Sequence, residues 1–192
     1  MKLGLKFFCV IGLLFFVTSH ILFSMASDFD FFLKPIDFAH WLNLIGASFL
    51  ISFCFVFPKG KINSIASFLT ILGVIGHIGM CTIDFIFWSF GDDYDGRSNL
   101  FQHLSKTPAI WYPFMIIGPS LLFAGLATHS WSFIKSHPIG SIMTLAGATL
   151  AGVANFIWDD RVYVTLSVVL FAIGLLLLLY RKEIKITSYN KA

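Results

Sequence analysis

Two side chains with the chemistry to move a proton or hold a charged ligand lie where such groups are expensive. His77 and Asp84 fall inside the apolar stretch GVIGHIGMCTIDFIFW. A charged group at mid-membrane depth costs roughly 2.5–3.5 kcal/mol on insertion scales, so a carboxylate there marks a functional site by default. A carboxyl group removed from water either stays neutral or pairs with a cation. Seven residues separate the two, which is two helical turns, so they share one face about 10 Å apart along the axis. That is too far for a direct hydrogen bond, but both can line one cavity. The competing structural role is an interhelical bond for His77, flanked by Gly73, Gly76 and Gly79, and a salt bridge from Asp84 to Arg97 or Arg161.

Other polar residues fall at matching depths. Asp37, His40, Trp41 and Asn43 cluster in IDFAHWLN at the mouth of the preceding apolar segment. Trp111 lies just after Pro108 in TPAIWYPFMIIGPS, and Asn155 lies near the end of IGSIMTLAGATLAGVANFIW at a depth close to that of Asp84. These place Asp84 at the charged centre of an outward-facing polar pocket among the second to fifth apolar segments, His77 at its floor, and His40, Asn43, Trp111 and Asn155 on its walls. Asn155 is also a hydrogen-bond partner for Asp84 in this scheme.

The elements that must carry these residues are membrane helices. Of the 192 residues 57% are hydrophobic, 23 are Phe, and only 12% are charged, about half the share of a soluble domain. The mean hydropathy is +0.85. The apolar residues form blocks, not amphipathic stripes. Six blocks, 4–23, 40–57, 64–88, 109–131, 139–157 and 162–180, each approach the ~20 residues that span ~30 Å of hydrocarbon. The expectation is an all-α polytopic helix bundle, one integral membrane domain over residues 1–192 with six transmembrane helices. A polar connection at 91–107 carries a short surface helix, NLFQHLSK, capped by Ser98.

Charge sets the expected orientation. Lys2, Lys6, Lys59, Lys61, Lys135, Arg181, Lys182, Lys185 and Lys191 fall on one side, and Lys34, Arg97, Lys106 and Arg161 on the other. The positive-inside rule then puts both termini in the cytoplasm. Eight aspartates on the outer side, Asp28, Asp30, Asp37, Asp92, Asp93, Asp95, Asp159 and Asp160, agree with it. The localisation expected is a multi-pass protein of the cell membrane, of the bacterial cytoplasmic kind. The first block, with Lys2, Lys6 and Ser24-Met25-Ala26, also has the form of a signal peptide, but its apolar run is longer than usual and a retained helix is expected. The basic tail after Tyr180 is placed against anionic lipid.

Smaller features refine the elements. FPKGK is a tight turn, and Pro113 and Pro119 free carbonyls near positions 109 and 115, bending the fourth span. The fifth span, with Gly140, Gly147, Ala148, Ala151 and Gly152, is expected to be the central packing helix, and the nearly all-apolar sixth to face lipid. An inverted pair of three-span halves, as in several transporters, has no sequence similarity behind it.

Several chemistries are poorly served. Asp93 and Asp95 ahead of Gly96 resemble part of a calcium loop, but Gly91 and Gln102 stand where two strong ligands belong. Haem needs histidines on two spans at one depth, which only His20 and His40 approach. Zinc would need His40, His77, Asp84 and His103 to converge. Cys9, Cys54 and Cys81 lie in apolar blocks without a CxxC and read as small core residues. No metal site is assigned and no cofactor follows. No basic-aromatic patch points to nucleic acid. The partners expected are the lipid bilayer and either a second copy of the chain or a membrane complex. Three classes of function fit these residues. The first is proton-coupled small-molecule transport or ligand binding. The second is an accessory or assembly subunit of a membrane complex. The third is a membrane-embedded enzyme acting on a lipid or using a metal.

Overall fold

The computed structural model describes residues 2–25 and 37–181. These form seven helices: α1 Lys2–Ser24, α2 Phe38–Val56, α3 Lys61–Ser89, α4 Tyr94–Ser105, α5 Pro108–Trp131, α6 Pro138–Trp158 and α7 Arg161–Leu179. All but α4 are long and apolar enough to cross a membrane, and no strand occurs among the described residues. The cleavage-like Ala26, the acidic residues Asp28 and Asp30, and the basic tail beyond Arg181 lie outside the described residues.

Local chemistry sets the boundaries. Asp37, Asp93 and Asp160 cap α2, α4 and α7, each side chain accepting a backbone N–H in the first turn. Pro108 and Pro138 sit at the starts of α5 and α6, where a missing N–H costs nothing. Phe57 is extended, as the residue before Pro58 must be, and this ends α2. The cap of α4 is Asp93, not Ser98. The Asp93 carboxylate accepts from Gly96 N–H at 2.9 Å, and the helix begins at Tyr94, five residues before NLFQHLSK.

The six long helices form a closed ring in chain order. The most extensive interfaces join α1 to α2, α3 to α5 and α6 to α7; lesser ones join α2 to α3, α5 to α6 and α7 to α1. The bundle is thus three antiparallel hairpins in a ring, not two three-helix halves. Small residues let the hairpins close. A Cβ on Gly46 would meet the Phe16 backbone, one on Gly76 the Gly118 backbone, and one on Gly147 the Phe171 backbone. The outer surface is apolar along the spans, with Phe55, Ile65, Phe68, Ile75, Ile142, Leu166 and Leu177 exposed.

The sixth span is not peripheral. On α7, Val168, Phe171, Ala172, Leu175, Leu178 and Leu179 are buried against α6 and α1. Hydropathy cannot separate these positions from lipid-facing ones, because a neighbouring helix and a lipid tail are equally apolar.

Two stretches depart from α-helical winding. Trp111–Ile117 and Ala154–Trp158 are π-helical. In the first, the N–H of Gly118 reaches back five residues to the carbonyl of Pro113, and Pro113 and Pro119 contribute no donors of their own. The second ends at Asp159, whose left-handed backbone (φ 49°) turns the chain into α7.

Candidate functional site

The ring encloses a cavity of about 860 Å³. Asp84, His77, His40, Asn43, Trp111 and Asn155 all line it. The wall is wider than spans two to five. His20 and Phe23 of α1 and Arg161, Val164 and Thr165 of α7 also contribute, because α7 closes the ring onto α1.

The polar centre is a chain of three groups across two helices. Asp37, 3% exposed, caps α2 and receives the N–H of His40 at 3.1 Å. Its second oxygen bonds the His40 ring at Nδ1. The opposite ring nitrogen, Nε2, faces Asp84 Oδ2 of α3 at 3.5 Å. That is an ion-pair spacing and longer than a tight hydrogen bond. Phe23 packs on the His40 ring with centroids 4.7 Å apart, and Phe85 lies at 5.9 Å on another side. Two carboxylates thus hold one imidazole in an aromatic surround. A proton at Nε2 would face Asp84 while Asp37 fixes the ring.

Two helical turns from Asp84 along α3, His77 is 2% exposed. Its Nε2 lies 3.1 Å from Asn43 Oδ1, a buried bond between α3 and α2. With Nε2–H donating to Asn43, the other nitrogen, Nδ1, is an acceptor, and it has no partner among the described residues. His20 Nε2 is likewise buried without a partner among the described residues. The Phe16 ring packs against both imidazoles, 4.8 Å from His20 and 5.5 Å from His77.

The structure therefore gives His77 a partner, Asn43, that its place in the sequence did not reveal. Asp84 faces His40, and no bond among the described residues joins it to Asn155 or to either arginine. Arg161 instead donates to the Phe23 carbonyl at 3.4 Å, and Arg97 lies over the Tyr94 ring at 5.0 Å. Asn155 sits on the π-helical turn of α6 and is exposed. Among the described residues no group of three or more His, Cys, Asp and Glu is arranged to hold a metal ion. His103 lies on α4, outside the cavity. The Phe101 ring of α4 meets Trp111 edge-on at 5.3 Å, which ties α4 beside the cavity mouth.

The part played by Asp37 was the least visible in sequence. Its signal is Asp-x-x-His at a helix start, where the capping carboxylate can also reach the ring three residues on. A second polar knot closes the opposite end of the bundle. Asn63 Nδ2 donates to the Pro58 carbonyl at 2.7 Å, and its Oδ1 meets His129 Nδ1 at 2.9 Å and the Ser132 hydroxyl at 3.0 Å. Arg181 lies 4.0 Å from the Phe133 ring centre at the same end. The cavity lining stops short of this knot, at Ala127 and Leu145.

Six apolar helices around a polar-centred cavity give the architecture of a multi-pass membrane protein. No family model matches the chain, and no match was found among curated proteins or solved structures.

Proposed function

We propose that this protein binds a small molecule in the cavity and couples its binding, and its movement across the membrane, to a proton held between His40 and Asp84. The observation that carries this is the Asp37–His40–Asp84 chain set on the wall of a cavity of about 860 Å³. A purely structural ion pair needs no cavity beside it, and cavities of 300–1,000 Å³ with few polar groups are typical of ligand sites. Among the described residues three histidine nitrogens are buried without partners; those of His77 and His20 line the cavity and add to the case, while that of His129 belongs to the knot outside it. The knot at Asn63 would act as the closed gate of a carrier that opens first on the His40 side. The carrier is placed in a bacterial-type cytoplasmic membrane, and the nine-to-four distribution of basic residues favours an orientation with the Asn63 end and both termini inside.

The test is native mass spectrometry with metal analysis on the gently solubilised full chain, beside Asp84→Asn. A small molecule bound to the parent and lost from a folded Asp84→Asn is the expected result. An empty parent, with a variant as heat-stable or more so, would remove Asp84 as ligand-binding group. The protein would then be better read as an accessory subunit of a membrane complex.

A further inference from the structure

We infer that the cavity is entered sideways from the bilayer, through the seam between α5 and α6, and that it takes an amphiphile whose head donates hydrogen bonds and carries no negative charge. This rests on the ligand-binding role proposed above and adds the route and the ligand class.

The route follows from where the lining is open. Every lining residue from α1, α2 and α3 is buried or half-buried. The exposed ones are Ser120 and Ala124 of α5, Thr149, Asn155 and Phe156 of α6, and Arg161 at the start of α7. Ser120 and Ala124 lie 12 and 16 residues from Pro108, about 18 and 24 Å along the axis at 1.5 Å per residue. Thr149 is nine residues from Trp158, about 14 Å in. An opening at these depths faces hydrocarbon, not water. The two helices are tied at their other end, where the Ser141 hydroxyl donates to the Ser130 carbonyl at 2.9 Å. Toward the cavity end each carries a π-helical turn, Trp111–Ile117 and Ala154–Trp158, one on each side of the seam.

The class follows from which polar groups are unmet. Ser120 and Thr149 have their hydroxyls bonded to their own helix, at Ile116 and Leu145 carbonyls, so the seam itself asks for no polar partner. Along it the wall is apolar, with Ile116, Phe123, Ala124, Leu145 and Ala148. The unmet groups among the described residues lie across the cavity: His20 Nε2, His77 Nδ1, and Asp84, whose Oδ2 faces His40; the last two accept. A head with N–H or O–H donors satisfies His77 and Asp84, while a carboxylate or phosphate seated there would meet like charge at Asp84; the cation of the lining, Arg161, stands at the start of α7 with its guanidinium donating to the Phe23 carbonyl. A long-chain amine and a long-chain alcohol share this chemistry.

The experiment adds dodecylamine, dodecanol, laurate or butylamine to the full chain in phosphatidylcholine nanodiscs and counts bound probe by native mass spectrometry. The variants are Ala124→Trp and Thr149→Trp, which fill the seam, Ile142→Trp, which adds the same bulk to an exposed α6 position outside the cavity, and Asp84→Asn. Dodecylamine or dodecanol should bind the parent at least tenfold more tightly than laurate. The seam variants should lose the twelve-carbon probes by tenfold or more yet keep butylamine, and Ile142→Trp should behave as the parent. Asp84→Asn should weaken the amines tenfold and the alcohol less. Seam variants that bind dodecylamine like the parent would overturn the lateral route and leave the pocket standing. Laurate binding as tightly as dodecylamine would overturn the ligand class. A parent that binds none of the four would overturn both, and a molecule found bound in the untreated parent would show whether the pocket survives.

Discussion

At the scale of single residues the informative pair is His77 and Asn43. Their bond is buried between α3 and α2, and among the described residues each is the other's only side-chain hydrogen-bond partner. Interhelical hydrogen bonds in membrane proteins average only about 0.6 kcal/mol in double-mutant cycles, with a maximum near 1.7. Leaving one partner buried and unsatisfied costs about 1–3 kcal/mol. His77→Leu and Asn43→Leu should therefore each lose about 1–2 kcal/mol, and the double variant should lose clearly less than their sum. Unfolding in mixed detergent would read this cycle, and strict additivity would mean the bond carries no coupling. The same residues show what a sequence can disclose. His77 and Asp84 stand out because a polar side chain inside an apolar block has few ordinary explanations. Asp37 and His40 lie at the edge of a block, where polar residues are common, so their bond was hidden. The His77–Asn43 partnership was hidden for another reason: it joins residues 34 apart, and which faces of α2 and α3 meet is set by packing that no local pattern records.

At the scale of elements the hairpins repeat one device. In the α3–α5 pair, Gly73 lies against Leu122 and Gly125 against Thr70; in the α6–α7 pair, Gly147 lies against Phe171 and Gly174 against Thr144. Each is a Thr-x-x-Gly on the first helix facing a large residue and a glycine three apart on the second. The threonine hydroxyl in both bonds the carbonyl four residues back, which frees the helix face for close approach. The small residues of the fifth span were legible as a packing surface, but their partner was not. Gly140 and Gly147 serve the α6–α7 hairpin, while Ala148, Ala151 and Gly152 line the cavity, and a Cβ on Gly152 would meet nothing among the described residues. This yields a paired prediction. Gly147→Leu should destabilise by about 2–3 kcal/mol, the usual cost of overpacking where backbone must shift, and yields of folded protein should fall. Gly152→Ala should be neutral or mildly stabilising, by up to about 1 kcal/mol from helix propensity. Thermal melts of the two variants, side by side with the parent, check both signs. Equal losses would mean that helix contact is not what the glycines set.

At the scale of the whole molecule the question is which parts are autonomous. Membrane helices insert first and associate afterwards, so the strength of each interface decides what can assemble from pieces. The strongest interfaces lie within the three hairpins, and the turns between hairpins, at 57–60 and 132–137, are both at the Asn63 end. The connections at the cavity end lie inside hairpins: 90–107 joins α3 to α5 and 159–160 joins α6 to α7. A hexagon of equal helices would tolerate a cut anywhere or nowhere, whereas a ring of hairpins should discriminate. Two fragments divided at residue 135 keep every hairpin whole and should co-assemble when expressed together, with bound ligand retained. Fragments divided at residue 100 separate α3 from α5, its most extensive partner, and should assemble poorly although the cut falls in a longer, polar connection. Affinity capture on one fragment, with the second fragment and the ligand followed in the eluate, separates these outcomes. The cavity gives the contrast its functional weight. Its polar centre spans the α2–α3 boundary and its seam lies at the α5–α6 boundary, so both sit between hairpins, where the helices are least bound to one another. Hairpins that move as rigid pairs would change the His40–Asp84 distance and the width of the seam together. Fragments cut at 100 that assembled as well as those cut at 135 would show that the ring is held as six equal helices, and that coupling would lose its structural basis.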